Sequence, residues 1–362
     1  MNVCVRDTAL ALAAISTAVS LTACGWGAGN TSGPGSARKI GVLLPDSTTA
    51  RWETQDRPLL DQKIRQLCRE CTIEHANAKG DVAIQQEQMD SSIASGVNAI
   101  VLAAVDARAM GAWVGKAAAA HIPVIAYDRL AEGPISGYVS FDGQEVGRLQ
   151  GRALLTAMGA KAHGGRIVMM NGDPGDPNAL WFKQGALSEL QGKVTIAKEY
   201  DTPQWSTEAA NLNMSGAISA LGAAGINGVY AANDGLAAGS IAALKANKVS
   251  PLPPVTGQDA ELSAVRRIVS GDQYMTVYKP FGPEAAAGGA MAVTAARGQR
   301  LDRAATRRVK TRTGAEVPAV LLTPVPVTLD TIKNTLVKDG VYTLEQICAP
   351  PLAGECHKSG LT

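Results

Sequence analysis

Net charge is almost absent from this sequence: 34 Lys and Arg stand against 32 Asp and Glu, leaving +2 over 362 residues. So small a balance gives no reason to expect nucleic acid as a partner, or an anionic membrane bound by overall charge. Long apolar runs are scarce too. The stretch over 9–19 is apolar but too short to span a bilayer comfortably, and no other segment is long and apolar enough to do so. No Gly-Lys-Ser/Thr follows a Gly-rich loop, which argues against nucleotide hydrolysis. No Gly-x-Ser-x-Gly elbow is present. The four histidines, His75, His121, His163 and His357, lack zinc-ligand spacing. The run from Asn171 to Asp176 lacks the Gly and distal Glu of an EF-hand loop. Neither a metal nor a cofactor is expected.

What is present begins with a leader. Arg6, offset by Asp7, precedes the apolar core over 9–19, which has signal-peptide length. Leu21-Thr22-Ala23-Cys24 follows and resembles a bacterial lipobox, in which the Cys takes the lipid after cleavage. The alternative is a plain secretory signal with an accidental Cys. Residues 25–38, GWGAGNTSGPGSAR, read as a flexible tether. The expectation is a signal peptide over 1–23, lipidation at Cys24, a tether over 24–37, and an extracytoplasmic chain that touches the membrane through its lipid alone. Beyond Cys4 and Cys24, four cysteines form two local pairs, Cys68 with Cys71 and Cys348 with Cys356. A Cys-x-x-Cys could also be redox-active or half of a zinc site. In an oxidising compartment, two local disulfides are the simpler reading.

From Lys39 the chain alternates strand and helix. Strands are expected over 39–44, 72–77, 99–103, 122–127 and 138–141, and helices over 51–67, 81–95 and 107–120, with another starting at Asp142. Pro58 sits inside the first helix, which therefore begins near Asp56 or kinks there. A second run places strands over 166–170, 193–199, 229–232 and 255–257, with helices over 178–190, 207–221, 235–246 and 260–269. A strand over 274–278, a helix over 280–297, a charged exposed stretch over 298–316, a strand over 317–322 and a helix over 329–338 complete the chain. Two successive runs argue for two α/β domains with parallel sheets.

The stretch IPVIAYDR over 122–129 shows where such sheets put their chemistry. A buried strand stops at Asp128-Arg129, an acceptor beside a fork of donors, and ligands sit outside the carboxyl ends of parallel strands. Alone, the pair reads as a surface ion pair. Other strands end alike: Arg51-Trp52, Asn178, Trp205, Asn233-Asp234, Gln258-Asp259 and Lys279 occupy equivalent places. Polar groups that pair every hydroxyl, with indole faces over the C–H faces of a ring, are what a pyranose needs.

ARWETQDR, IAYDRL, YVSFDGQEVG, AANDGLAAG and VTGQDAELSAVRRIVSGDQYMTVYKP resemble the D-xylose-binding proteins of bacterial ABC transporters, within the type I periplasmic sugar-binding superfamily. The resemblance runs from about Lys39 to Tyr342. It implies two doubly wound parallel-sheet α/β lobes joined by a three-stranded hinge, over 38–143 plus 279–322 and over 144–278 plus 323–346, with a Cys-containing tail over 347–362. Carried over by position, Arg51, Trp52, Asp128 and Arg129 bind from the first lobe. Asn178, Trp205, Asn233 and Asp259 bind from the second. Lys279 lies near the hinge, and Trp52 and Trp205 sandwich the ring. Two positions depart from the pattern, Pro177 where an Asn and Leu180 where a Lys is expected, and they leave sugar selectivity open. Trp113 and Trp181 read as packing residues, Trp26 belongs to the tether, and Asp142 and Asp234 read as helix caps.

The implied function is capture of a monosaccharide and its delivery to a membrane permease with its ATPase. A sensor role through a chemoreceptor or kinase is the alternative. A glycoside hydrolase using Asp128 and Asp259 is disfavoured because Arg129 and Lys279 would keep both ionised, whereas hydrolysis needs a protonated acid. A repressor would need a helix-turn-helix where the leader and tether stand.

Overall fold

The computed structural model describes residues 37–362, so the leader, Cys24 and most of the tether lie outside the described residues. The first run gives β1 (Lys39–Leu44), α1 (Arg57–Leu67), β2 (Thr72–Asn77), α2 (Val82–Ala94), β3 (Ala99–Leu102), α3 (Gly111–Ala119), β4 (Val124–Tyr127) and β5 (Gly137–Phe141). The second gives α4 (Gly143–Met158), β6 (Arg166–Met170), α5 (Pro177–Leu190), β7 (Thr195–Tyr200), α6 (Thr207–Leu221), β8 (Gly228–Ala231), α7 (Asp234–Ala246), α8 (Leu262–Val269) and β9 (Thr276–Tyr278). Then follow α9 (Phe281–Ala296), β10 (Arg307–Lys310), β11 (Glu316–Leu322), β12 (Val325–Val327), α10 (Leu344–Ile347) and α11 (Ala353–Lys358).

The first lobe is built on a seven-stranded sheet in the order β10-β11-β5-β4-β3-β1-β2, parallel except for β10. Alternate residues feed two cores. Val42, Val101, Ile125 and Tyr127 pack with Leu60 of α1 and Ala292 of α9, while Leu43, Ile100, Leu102 and Ala126 pack with Met89 of α2 and Val114 of α3. Strands buried on both faces read as continuous apolar runs, which is why the sequence marks them so clearly. The second lobe has the parallel order β7-β6-β8. Its helices α4 and α5 meet at Gly147 and Gly185, where a Cβ would run into Phe182 O and Gln144 O respectively.

Three expectations need correction, and the reading that the first helix proper begins near Asp56 holds. The strand over 255–257 is reduced to one bridge, Val229 with Val255, because Ala231 N–H donates to Thr256 Oγ1 at 3.1 Å instead of to a backbone carbonyl. The charged stretch over 298–316 contains β10, an edge strand in which only Val309 turns inward and the two Arg and one Lys are exposed. One apolar residue in four carries no alternation signal. The helix over 329–338 is a short 3-10 turn, Leu329–Thr331, followed by a wide π turn, Lys333–Val337. A π turn over Trp52–Asp56 also precedes α1, and Pro58 then falls in the first turn of α1, where a missing N–H costs nothing.

The chain leaves the seven-stranded sheet after β5, returns to it between β9 and β10, and leaves it again after β11. The crossings are laterally bonded: β9 pairs antiparallel with β12, and Asp142 N–H donates to Leu322 O at 3.2 Å. Cys68 bonds to Cys71 just past α1, with Cα atoms 5.3 Å apart, and Cys348 to Cys356, 5.9 Å apart. The second disulfide lies in the C-terminal segment, where Ile347, Leu352 and Leu361 share a core with Val265 and Ile268 of α8.

Candidate ligand chamber between the lobes

The strand-end residues converge. Arg51, Trp52, Asp128, Arg129, Asn178, Trp205, Asn233, Asp259 and Lys279 all border one chamber, which their own side chains nearly fill, leaving about 20 Å³. All nine are buried.

The two aspartates are aimed by their backbones. Asp128 leaves β4 with φ +60° and donates its N–H to Val139 O at 2.8 Å. Asp259 has φ +97° and donates to Val277 O at 2.8 Å. Non-glycine residues rarely adopt this left-handed conformation, and it turns both carboxylates out of the sheet direction into the cleft. Lys279, one residue past β9, sets Nζ 3.2 Å from Asp128 Oδ2 and 3.2 Å from Asp259 Oδ1.

Arg51 has five N–H donors, and the protein uses four. Nε and Nη2 donate to Asp56 at 2.7 and 2.8 Å, Nη2 also to Glu284 at 2.6 Å, and Nη1 to Asp128 at 2.9 Å. The π turn brings Asp56 back beneath Arg51, and Tyr127 Oη donates to the same carboxylate at 2.6 Å. The remaining Nη1–H is the donor left for a ligand, with Asp259 Oδ1 3.7 Å from Nη1. Arg129 binds Ala104 O at 3.0 Å, Asp46 at 3.4 Å and, across the cleft, Asp176 at 2.8 Å. Asn178, in the first turn of α5, reaches the other way and donates to Asp128 Oδ1 at 2.9 Å.

Both indoles line the chamber, each with a buried Nε1 that has no partner among the described residues. The guanidinium carbons of Arg51 and Arg129 sit 4.7 and 5.4 Å from the Trp52 ring centre. Trp205 is presented by a left-handed turn (Gln204 φ +57°, Trp205 φ +52°), and its ring fills the space over Gly172 where a Cβ would be. Asn233 caps α7, accepting Leu236 N–H at 2.9 Å. This corrects the reading of Asp234 as the cap. Asp234 is fully buried behind the site, where it accepts from Glu261 N, Gln273 Nε2 and Thr276 Oγ1 and so braces the loop that carries Asp259. Asp142 does cap α4. Trp181 packs at the lobe boundary, away from the chamber.

Sequence reasoning missed Thr49, Asp176 and Phe182 in the lining, and Asp56 and Glu284 behind Arg51. It counted Gln258 only as a strand-end residue. Gln258 borders the chamber and holds Asp259 Oδ2 at 2.9 Å, with its own Oε1 unpaired among the described residues. Asp56 and Glu284 lie inside helical patterns, and nothing in their spacing marks them.

Burial pushes Asp128 up, but Lys279, Arg51 and Arg129 outweigh it and hold the carboxyl well below its ordinary range. Burial dominates at Asp176, raising it to about 6 against the pull of Arg129. It also dominates at Glu284, raised well above the usual range despite Arg51. Lys279 is raised, since Asp128 and Asp259 outweigh its desolvation. A firmly ionised Asp128 is an acceptor and a poor general acid. In its chemistry the lining suits a small, neutral, polyhydroxylated ring, with donors and acceptors beside indole and phenyl surfaces, and the chamber must open to admit one.

A family model described as a periplasmic binding protein domain matches residues 40–300. The chain is 33% identical over 312 residues to the D-xylose-binding periplasmic protein of Escherichia coli (strain K12), covering 84% of this chain and 91% of that one. It is 32% identical over 316 residues to the D-xylose-binding periplasmic protein of Haemophilus influenzae, covering 85% and 92%. Among solved structures, an ABC transporter solute binding protein from Clostridium phytofermentans with bound β-D-glucose is similar with a TM-score of 0.79 at 28% identity, covering 86% of this chain and all of that one. These relatives are binding proteins rather than enzymes. With the family model spanning most of the chain, and relatives above 30% identity spanning nearly all of their own length, this chain belongs to the periplasmic-binding-protein family, with its type I fold.

Proposed function

We propose that this chain is an extracytoplasmic, lipid-anchored receptor that captures one monosaccharide between closing lobes and delivers it to an ABC permease. D-Xylose is the first candidate, as the ligand named for two relatives. The observation that carries the reading is the convergence of two aspartates, three cations, two asparagines and two indoles from both lobes on one buried chamber. In this reading the lobes comprise 38–143 plus 279–322 and 144–278 plus 323–346, and Cys24 carries the lipid. Sugar hydroxyls take over the pairings of Asp128, Asp259, Lys279 and the free Arg51 N–H, and contacts to both lobes favour the closed state. The bound form docks on the permease, and an ATPase drives release. Presentation of the same closed form to a membrane sensor is the second reading, and it shares the chamber.

Leu180 is exposed and borders an outer groove rather than the chamber, and Pro177 opens α5. Choice among sugars therefore falls to Thr49, Asn178, Phe182 and Gln258. Calorimetric titration of the chain from Gly25 with D-xylose, glucose, galactose, arabinose and ribose tests the proposal. Micromolar binding, about −8 kcal/mol, is expected for one of them and is lost in Asp259→Ala and Trp205→Ala. No heat with any sugar would sink it.

A further inference from the structure

The small net charge of the chain hides a strong local asymmetry. Residues 297–312 contain six Arg and one Lys against a single acid, Asp302, for a local charge of +6. The rest of the chain has 27 cations against 31 acids, or −4. All seven cations are exposed. They run from the end of α9 through the turn at Leu301–Arg303 and along β10, the free edge of the seven-stranded sheet. Asp302 pairs with Arg300 and Arg308 at 2.8 and 2.9 Å, and Glu132 with Arg312 at 3.1 Å. Arg303, Arg307 and Lys310 have no acidic partner among the described residues.

Charged side chains on an edge strand discourage pairing with other chains. That accounts for Arg307, Arg308 and Lys310, but not for the cations off the strand at Arg297, Arg300, Arg303 and Arg312. A protein interface of ordinary kind is built around buried apolar or aromatic anchors. Of the exposed large apolar residues, Leu67 and Leu180 stand at the two ends of this segment, beside Arg297 and Arg312, and none lies between them. What remains is a long, purely electrostatic face with flexible donors, which matches a diffuse anionic surface.

We propose that the edge formed by residues 297–312 rests on anionic phospholipid headgroups of the membrane at which the chain is held in the lipid-anchored reading above, on which this inference builds. The face is a second membrane contact, independent of the lipid and of the sugar chamber. Each Lys or Arg near an anionic bilayer adds affinity that disappears within a Debye length, so the contact weakens with salt.

The test uses the chain from Gly25, which has no Cys24 and hence no acyl group. It is sedimented with vesicles of phosphatidylcholine alone, or of phosphatidylcholine mixed with phosphatidylglycerol. Binding only to the mixed vesicles, falling as salt rises, is expected. Arg303→Glu with Arg307→Glu should lower the partition roughly tenfold or more. Lys338→Glu, an exposed cation elsewhere, should leave it nearly unchanged. Unchanged melting of the double variant excludes misfolding; if it melts lower, Arg303→Gln with Arg307→Gln repeats the comparison. Three outcomes overturn the proposal: no binding to the mixed vesicles, equal binding to neutral ones, or an equal loss with Lys338→Glu. The first would leave the excess charge to an acidic protein partner.

Discussion

Asp128 and Asp259 hold equivalent places in the two lobes. Each has a left-handed backbone, each donates its N–H to a valine carbonyl at 2.8 Å, and each lies 3.2 Å from Lys279 Nζ. Lys279→Met would leave two carboxylates facing across the cleft with only Arg51 Nη1 near both, at 2.9 and 3.7 Å. Removing one member of a buried ion cluster costs about 3–5 kcal/mol. Sugar affinity should fall at least a hundredfold, and scattering should show a more open average shape. Adding Asp259→Asn to Lys279→Met should restore part of the closure. A Lys279→Met chain that binds normally refutes the role of the cluster.

Glu284 separates structural support from ligand contact. Burial raises its carboxyl well above the usual range, which favours the neutral acid against the pull of Arg51. Gln is the isostere of that neutral acid and can still accept from Arg51. Glu284→Gln should therefore shift stability by no more than about 1 kcal/mol. Glu284→Ala leaves an Arg51 donor buried and unpaired, costs about 1–3 kcal/mol and weakens sugar binding. Denaturant melts of both variants decide this. A large loss in Glu284→Gln would mean that the carboxylate is ionised.

Asp176 links the lobes to pH. It titrates near 6 in the folded chain against 3.8 ordinarily, so between those values the folded chain carries a proton that the unfolded chain has released. Stability from this group grows as pH falls from 7 towards 4. Asp176→Asn removes the titration, and the gap between variant and parent melting curves should change across pH 5 to 7. A constant gap would show that Asp176 does not titrate there.

Gly172→Ala tests the placement of Trp205 without touching a polar group. Its Cβ would occupy the volume of the indole ring. Overpacking of this kind costs about 1–3 kcal/mol, and the displaced ring should also weaken sugar binding. Tryptophan fluorescence and calorimetry read the two effects separately. Tight binding in Gly172→Ala would show that the ring position is unimportant.

The strand ends were legible because a buried parallel strand is an apolar run that stops where its chemistry begins. Asp128 follows such a stop at the end of β4, whereas Lys279 follows the antiparallel β9, Asp259 a single bridge, and Trp205 the half-exposed β7. Asp56 was not legible, because its approach to Arg51 depends on a turn with one residue more than an α-helical turn, and a helical pattern with Pro58 in it does not state that geometry. Glu284 looked like an ordinary residue in the first turn of α9, and its partner lies 233 positions away. β10 was missed because edge protection replaces the apolar alternation that identifies a strand. The cap of α7 was assigned to Asp234 rather than Asn233 because either residue can cap a helix, and only the packing of Thr276 and Gln273 decides that Asp234 turns inward.

The lateral bonds between the three crossings have a mechanical consequence. Separate threads would let the lobes twist, slide and swing independently. Stitched by β9 with β12 and by Asp142 with Leu322, they form a narrow ribbon that is stiff in its own plane and soft only across it. Such a ribbon bends like a leaf hinge, along one arc. If the lobes close as proposed, each stroke along that arc returns Asp259 and Asn178 to the same address opposite Asp128.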